Sequence, residues 1–368
     1  MPKNTTPLHR AHTALGASFG DSVGWSMPMR YAGETAEHHA VRSAAGLFDL
    51  SHQGKIEVSG PEAGRALNHA LAGDLASMPV GTSTRALLLH DTGGILDAPT
   101  VHRLPGDVFL LVSDSGRTPI LLSCLRERAD GHLAEVRDAT EDWALLAVQG
   151  PMAAAAVSAL TEAATLRPAP GTLRGLRLAG RDVLLARTTT TGGEDGFEVF
   201  CRPPDAPRLW QALRAAGSEL GLRPCGLACR ESLRLEAGTP LCGRELTSRT
   251  TPFDARLHHL VDLAKPGGFV GATALAAQRE TGSSRVLTGL AFTGPWAPLT
   301  GVALRDPLTG ARVGEITSAG LSPTLGHPLA LAYAAPEQSE PGTKVLVDIN
   351  GVPTRAEVAL LPFYLRRR

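Results

Sequence analysis

The stretch GGILDAPTVHR, Gly93 to Arg103, holds a single carboxylate, Asp97, between a turn and a strand. Two glycines release the turn, and Ile95, Leu96 and Val101 with the polar residues between them suit a half-buried strand at a sheet edge. A carboxylate there can work as an acid beside a pocket. It can also finish the turn, the commoner employment of Asp near Gly and Pro. Asp97 is therefore the first catalytic candidate, with a structural role as the competing reading. Other reactive residues form no constellation by spacing alone. The five cysteines, Cys124, Cys201, Cys225, Cys229 and Cys242, are scattered and odd in number. Cys225 and Cys229 sit four apart on a predicted helix without the doubled pairs of a zinc site, so reduced thiols and no metal are expected. Gly192, Gly193 and Gly196 fit neither a phosphate loop nor a dinucleotide turn. No G-x-S-x-G elbow and no H-E-x-x-H helix occurs.

The elements that must position these residues are of both kinds. PEAGRALNHALAG reads as a helix with Pro61 in its first turn. DAPRLWQALRAAG is a second, with Asp205 as cap, Leu209, Leu213 and Ala216 on one face, and Gly217 as its end. GLACRESLRLEAG is a third, running to Gly238. KIEVSG, DVFLLVS, DVLLART and FEVFCR read as strands, and WALLAVQGPMAAAAVSAL as a strand entering a helix. KVLVDINGVPTRAEVALL is a hairpin whose turn is Asn350-Gly351. Beyond about residue 280 the pattern is almost wholly β. The class is α+β, with a division into 1–280 and a β-rich 281–368.

Composition bounds the partners. The 368 residues allow two or three domains, and 36 basic against 36 acidic residues leave a formal net charge of zero. That gives no electrostatic reason to expect nucleic acid or an anionic membrane. The start, MPKNTTPLHRAH, lacks an apolar signal region, and no run of eighteen apolar residues exists, so a cytoplasmic protein is expected.

Seven blocks resemble one family in order along the chain: GWSMPMRY (24–31), HHAVRSAAGLFDLSHQGKIEVSGPEA (38–63), GGILDAPTVHR, WALLAVQGP (143–151), GGEDGFEVF (192–200), PCGLACRESLRLEAGTPL (224–241) and GEITSAGLSPTLGHPLALAY (314–333). The family is the aminomethyltransferase, or T protein, of the glycine cleavage system. The resemblance implies a three-domain clover-leaf of the α+β class, two interleaved domains over 1–280 and a C-terminal barrel or jelly roll over 281–368. It implies tetrahydrofolate, or a one-carbon derivative of it, in a central funnel. It also implies an enzyme that moves a one-carbon unit (aminomethyl, methylene or methyl), with a small-molecule substrate and a lipoylated carrier protein as the family's partners.

Carried over residue by residue, the resemblance assigns folate contact to Glu198, Arg230 and Ser113, the last standing where the family has asparagine. The family places a second aspartate after the first in the opening stretch, and this chain has Ala98 there. Asp97 cannot simply replace its neighbour, because successive strand residues face opposite ways. Arg85 and Thr191 stand where the family has tyrosines, and Gln53 where it has methionine, which makes all three candidates for altered substrate contact. Losing a carboxylate at 98 and gaining a guanidinium at 85 would suit an anionic substrate, if both line the funnel. Three readings follow: a divergent folate-dependent transferase, an enzyme on this scaffold without folate, and a non-catalytic binding protein.

Overall fold

The computed structural model describes residues 4–161, 169–188, 196–294 and 297–366. Period-two patterns form most of the frame, and the chain divides into two units interleaved in sequence. One holds residues 1–70, 74–86 and 99–231; the other holds 71–73, 87–98 and 232–368.

The first unit is built on two sheets. Six strands run in the order Leu173–Leu178, Arg181–Thr188, Gly196–Cys201, Ala144–Gln149, Ala45–Asp49, Leu222–Pro224. All neighbours are antiparallel except the last pair. Phe197, Val199 and Cys201 alternate into a core with Leu146, Val148, Leu47 and the helix Ala206–Gly217, which contributes Leu209, Trp210 and Leu213. Strand alternation thus sends Glu198 to the other face. Asp205 does not cap that helix through its side chain; its carboxylate lies 3.3 Å from Arg181. A five-stranded antiparallel sheet, Glu135–Asp138, Gly54–Ser59, Val108–Ser113, Thr100–Leu104, Thr82–Arg85, packs against the helices Ala63–Ala70 and Thr118–Arg128. The first of these begins at Ala63, so Pro61 lies in the turn before it.

The second unit contains the hairpin-like pair Leu88–Leu89 and Ile95–Asp97, with its own core of Leu87, Leu89, Ile95, Leu246, Leu257, Phe269 and Leu275. Six strands close a barrel: Val286–Phe292, Pro328–Ala334, Arg312–Leu321, Ala303–Arg305, Lys344–Ile349, Val352–Ala359. Pro328–Ala334 is buried along its whole length because Ala330, Ala332 and Ala334 face the barrel core while Leu329, Leu331 and Tyr333 face a second cluster with Leu235 and Leu287. Asn350 and Gly351 both have positive φ, 53° and 82°, as a type I′ hairpin turn requires. The β-rich C-terminal region expected from the sequence is this barrel. None of the described helices is long and apolar enough to cross a membrane.

The opening stretch is the point of difference. It is not one strand but two, Ile95–Asp97 and Thr100–Leu104, which belong to different sheets and different units. Pro99, lacking an N–H, sits at the break.

Candidate functional site

The site in the first unit starts from a helix and the acid that anchors it. An added Cβ at Gly226 would stand 2.1 Å from the Met29 carbonyl oxygen, so only glycine permits this approach. The fully buried Glu37 fixes it further. Its Oε2 accepts the Gly226 N–H at 2.7 Å, and its Oε1 accepts those of Tyr31 and Gly33 at 2.6 and 3.1 Å. The helix Leu227–Glu236 starts one residue later and carries Arg230. The Arg230 guanidinium lies 5.5 Å from the centroid of the Phe48 ring, as in a cation–π contact.

Glu198 sits in the row that leads to that ring. Its register partners are Ala147 on one side and Ala186 on the other, and Ala147 in turn pairs with Phe48. Glu198 is 8 % exposed, yet among the described residues its carboxylate accepts no hydrogen bond, and Arg230 Nη1 is buried without a partner. Burial pushes the Glu198 carboxyl up to about 7, with Arg230 opposing the shift. Among the described residues, this is a buried acceptor without a donor coupled electrostatically to a buried donor without an acceptor, a pairing of the kind a polar ligand would satisfy.

The run DLSHQGK supplies the rest. Asp49 is completely buried and takes four donors: His12 Nε2 at 2.9 Å and Thr6 Oγ1 at 2.6 Å on Oδ2, the Ser51 N–H at 2.9 Å on Oδ1, and a contribution from the Ser51 side chain. Burial works to raise its carboxyl, but the hydrogen bonds from His12, Thr6 and Ser51 hold it below the usual range. With His12 Nε2 donating to Asp49, its Nδ1 accepts the Tyr31 hydroxyl at 2.8 Å. This network pins the turn that presents His52. Burial, with the charges of Lys55 and Arg230, pushes the His52 imidazole down to about 4, so it is neutral near pH 7. Lys55, also buried, is lowered to about 8 by burial and donates to the Ser51 carbonyl at 2.6 Å.

Of the residues assigned by resemblance, Glu198 and Arg230 come together. Gln53 is half-buried in the turn after Asp49, its N–H bonded to Leu50 O at 3.0 Å. Ser113 is 4 % exposed and pairs in register with Gly54, one residue beyond Gln53; its hydroxyl donates to the Asp114 carbonyl at 3.3 Å. Arg85 is half-buried at the end of an edge strand, opposite Thr100, and is engaged within the protein. Thr191 lies outside the described residues. In the second unit, Asp97 is 2 % exposed; its Oδ1 accepts the Ala98 N–H at 2.8 Å and the Cys242 thiol at 3.6 Å. Ala98 is half-buried against that unit's core.

His52, Phe48, Asp49 and Glu37 were not singled out from the sequence. The signal available was an Asp, a His and a Lys within seven residues, Asp49 to Lys55, across the turn between two largely buried strands. Cys225 and Cys229 also gain a neighbour: their sulfurs and a Glu37 oxygen lie within 4.8 Å of one another. A hydrogen bond with the Cys229 thiol and burial push Cys225 well above the usual thiol range, and Glu37 is already filled by three N–H groups. The trio pairs a Cys225 thiol held in its protonated form with a carboxylate already satisfied by N–H donors, poor chemistry for a metal.

Comparison with known proteins agrees with this frame. Residues 8–265 match the GCVT N-terminal domain, and residues 285–364 match the glycine cleavage T-protein C-terminal barrel domain. The chain is 47 % identical over 363 residues to an aminomethyltransferase of Saccharopolyspora erythraea, covering 98 % of each chain. It is 46 % identical over 372 residues to one of Streptomyces coelicolor, covering 99 % of this chain and 98 % of the relative. The crystal structure of the glycine cleavage system aminomethyltransferase T from Bartonella henselae superposes with a TM-score of 0.91 at 35 % identity, covering 99 % of both chains. With both domain models and full-length relatives in agreement, the chain belongs to the glycine cleavage T-protein (aminomethyltransferase) family.

Proposed function

We propose that this chain is a tetrahydrofolate-dependent one-carbon transferase in which Glu198 and Arg230 hold the folate. The observation that carries the reading is that, among the described residues, the buried Glu198 carboxylate accepts no hydrogen bond and the buried Arg230 Nη1, whose charge acts on it, has no partner. The residues fit the cofactor the family uses. A pterin edge presents adjacent N–H donors, which a single carboxylate can take on its two oxygens. Arg230 supplies the complementary donor for a carbonyl or carboxylate of the same molecule.

Bound tetrahydrofolate supplies the nitrogens that receive the carbon. The chain's own residues bind and orient. The Glu37–Gly226 anchor fixes the helix under Arg230, and the Asp49–His12–Tyr31 network fixes the turn carrying His52 and Gln53. Glu198, neutral or ionised near pH 7 by its raised carboxyl, ionises fully when N–H donors arrive. A lipoylated carrier protein, the family's donor, is the proposed source of the aminomethyl group.

Position 98 sets the rate. A carboxylate there would stabilise positive charge developing on the transferred carbon, and Ala98 cannot. Asp97 does not compensate, since it is turned onto the Ala98 N–H and Cys242. Aminomethyl transfer by this chain is therefore slow for its family. Arg85 is engaged within the protein, so the reading does not call on it for an anionic substrate. Incubation with aminomethylated lipoyl carrier and tetrahydrofolate, reading ammonia release, tests the proposal. Folate-dependent release supports it; release at the same rate without folate contradicts it.

A further inference from the structure

A cleft of ≈ 520 Å³ opens in the first unit, lined by Trp25, His52, Thr118, Asp138, Glu141 and Asp142 among others; Glu198 and Arg230 are not part of its wall. Its volume falls in the range of small-molecule sites. Among the described lining residues there is no lysine or arginine, while three carboxylates stand on it. Asp142 is tied to Arg137, whose guanidinium also pairs with Glu57 through two bonds of 2.9 Å. Asp138 and Glu141 remain exposed and negative at the rim.

Inside, His52 is 8 % exposed, and its Nδ1 is fully buried without a partner. No hydrogen bond reaches either ring nitrogen among the described residues. Because the imidazole is neutral, one nitrogen offers a lone pair to a donor. Trp25 adds an aromatic face, which attracts cations. The carboxylates do not converge as ligands would on a metal. Among the described residues, three ligating atoms within 4.8 Å of one another occur only at Glu37, Cys225 and Cys229. Negative charge spread over a cavity with an aromatic wall suits an organic cation that carries its own bulk.

We propose that this cleft is a second ligand site, separate from the Glu198–Arg230 pair, which binds a small primary alkylammonium. The ammonium lies beside Trp25 and towards Asp138 and Glu141, with one N–H donated to His52 at Nε2, since Nδ1 is fully buried. A concave cavity of this volume favours a free amine over the lysine of a docked protein. Neither Glu198 nor Arg230 lines it, and amine and folate binding are read separately, so either proposal can fail alone.

The test uses the full chain titrated with n-butylammonium, followed by calorimetry and tryptophan fluorescence, with n-butanol and butyrate as matched probes. Saturable 1:1 binding of the amine alone is expected. The double variant D138N/E141Q, changed at two exposed positions, should weaken it about tenfold. Trp25→Leu should weaken it about fivefold, with Trp25→Phe intermediate. Equal binding of butanol, or wild-type affinity in a folded D138N/E141Q protein, overturns the proposal. A Gly-Lys-Gly peptide binding much more tightly than butylammonium overturns the assignment to a free amine. Stoichiometric Zn²⁺ binding that displaces the amine overturns the organic-cation reading.

Discussion

Glu198 has two alanines as its strand partners and, among the described residues, no hydrogen bond to its oxygens; Arg230 supports its charged form. Its folded-state carboxyl is raised from 4.5 to about 7. Below pH 4.5 the acid is protonated whether the chain is folded or not, and it costs nothing. As pH rises from 4.5 to about 7 the unfolded chain ionises while the folded one stays protonated, so the folded state loses stability over that window and no more above it. Glu198→Gln should therefore be more stable than the wild type at pH 8 by about 1–3 kcal/mol and equal to it at pH 4. Urea unfolding at both pH values checks this; a difference at pH 4 as large as at pH 8 would show that packing, not ionisation, is at work. Position 98 makes a second prediction at this scale. Ala98→Asp should raise aminomethyl transfer by at least about tenfold, a fraction of what a preorganised electrostatic group contributes. Steady-state ammonia release is the measurement, and an unchanged rate would remove Ala98 from the account.

Elements show why some of this was legible in the sequence and some was not. The hairpin at Asn350-Gly351 and the helix Ala206–Gly217 are local events, decided by turn chemistry and a 3.6-residue period within a dozen residues. The opening stretch failed at Pro99, because a strand that changes sheets in mid-segment looks continuous in its hydrophobic pattern. Its two glycines do different work. Gly93 has φ 85°, whereas a Cβ on Gly94 would lie 1.9 Å from the Ser248 carbonyl oxygen. That second role depends on a residue more than 150 positions away, which no local pattern encodes. Gly226 is the same kind of position, and it bears on the site. Gly226→Ala must push Met29 or the helix aside, so a loss of about 2–4 kcal/mol is expected. Displacing Arg230 should weaken folate binding in the fraction that folds. A melting temperature within a degree of wild type would contradict the close approach.

At the scale of the whole molecule, the α+β class and the C-terminal barrel could be read from composition and resemblance. Residues 71–73 and 87–98 join 232–368 through contacts such as the Lys265 ammonium with the carbonyls of Leu71 and Gly73. Glu198 and Arg230 both belong to the first unit, and their pairing is the central claim. Ligand binding to the native state alone raises stability in step with its concentration over Kd. Calorimetric titration with tetrahydrofolate at pH 7.5, on the wild type, Glu198→Gln and Glu198→Ala, is the most direct measurement. The account predicts saturable wild-type binding and a loss of about 1.5–3 kcal/mol for Glu198→Ala, the range of a hydrogen bond to a charged group. Glu198→Gln should be weakened too, despite its greater stability at that pH. No detectable wild-type binding at millimolar folate, or full affinity in Glu198→Ala, would contradict it.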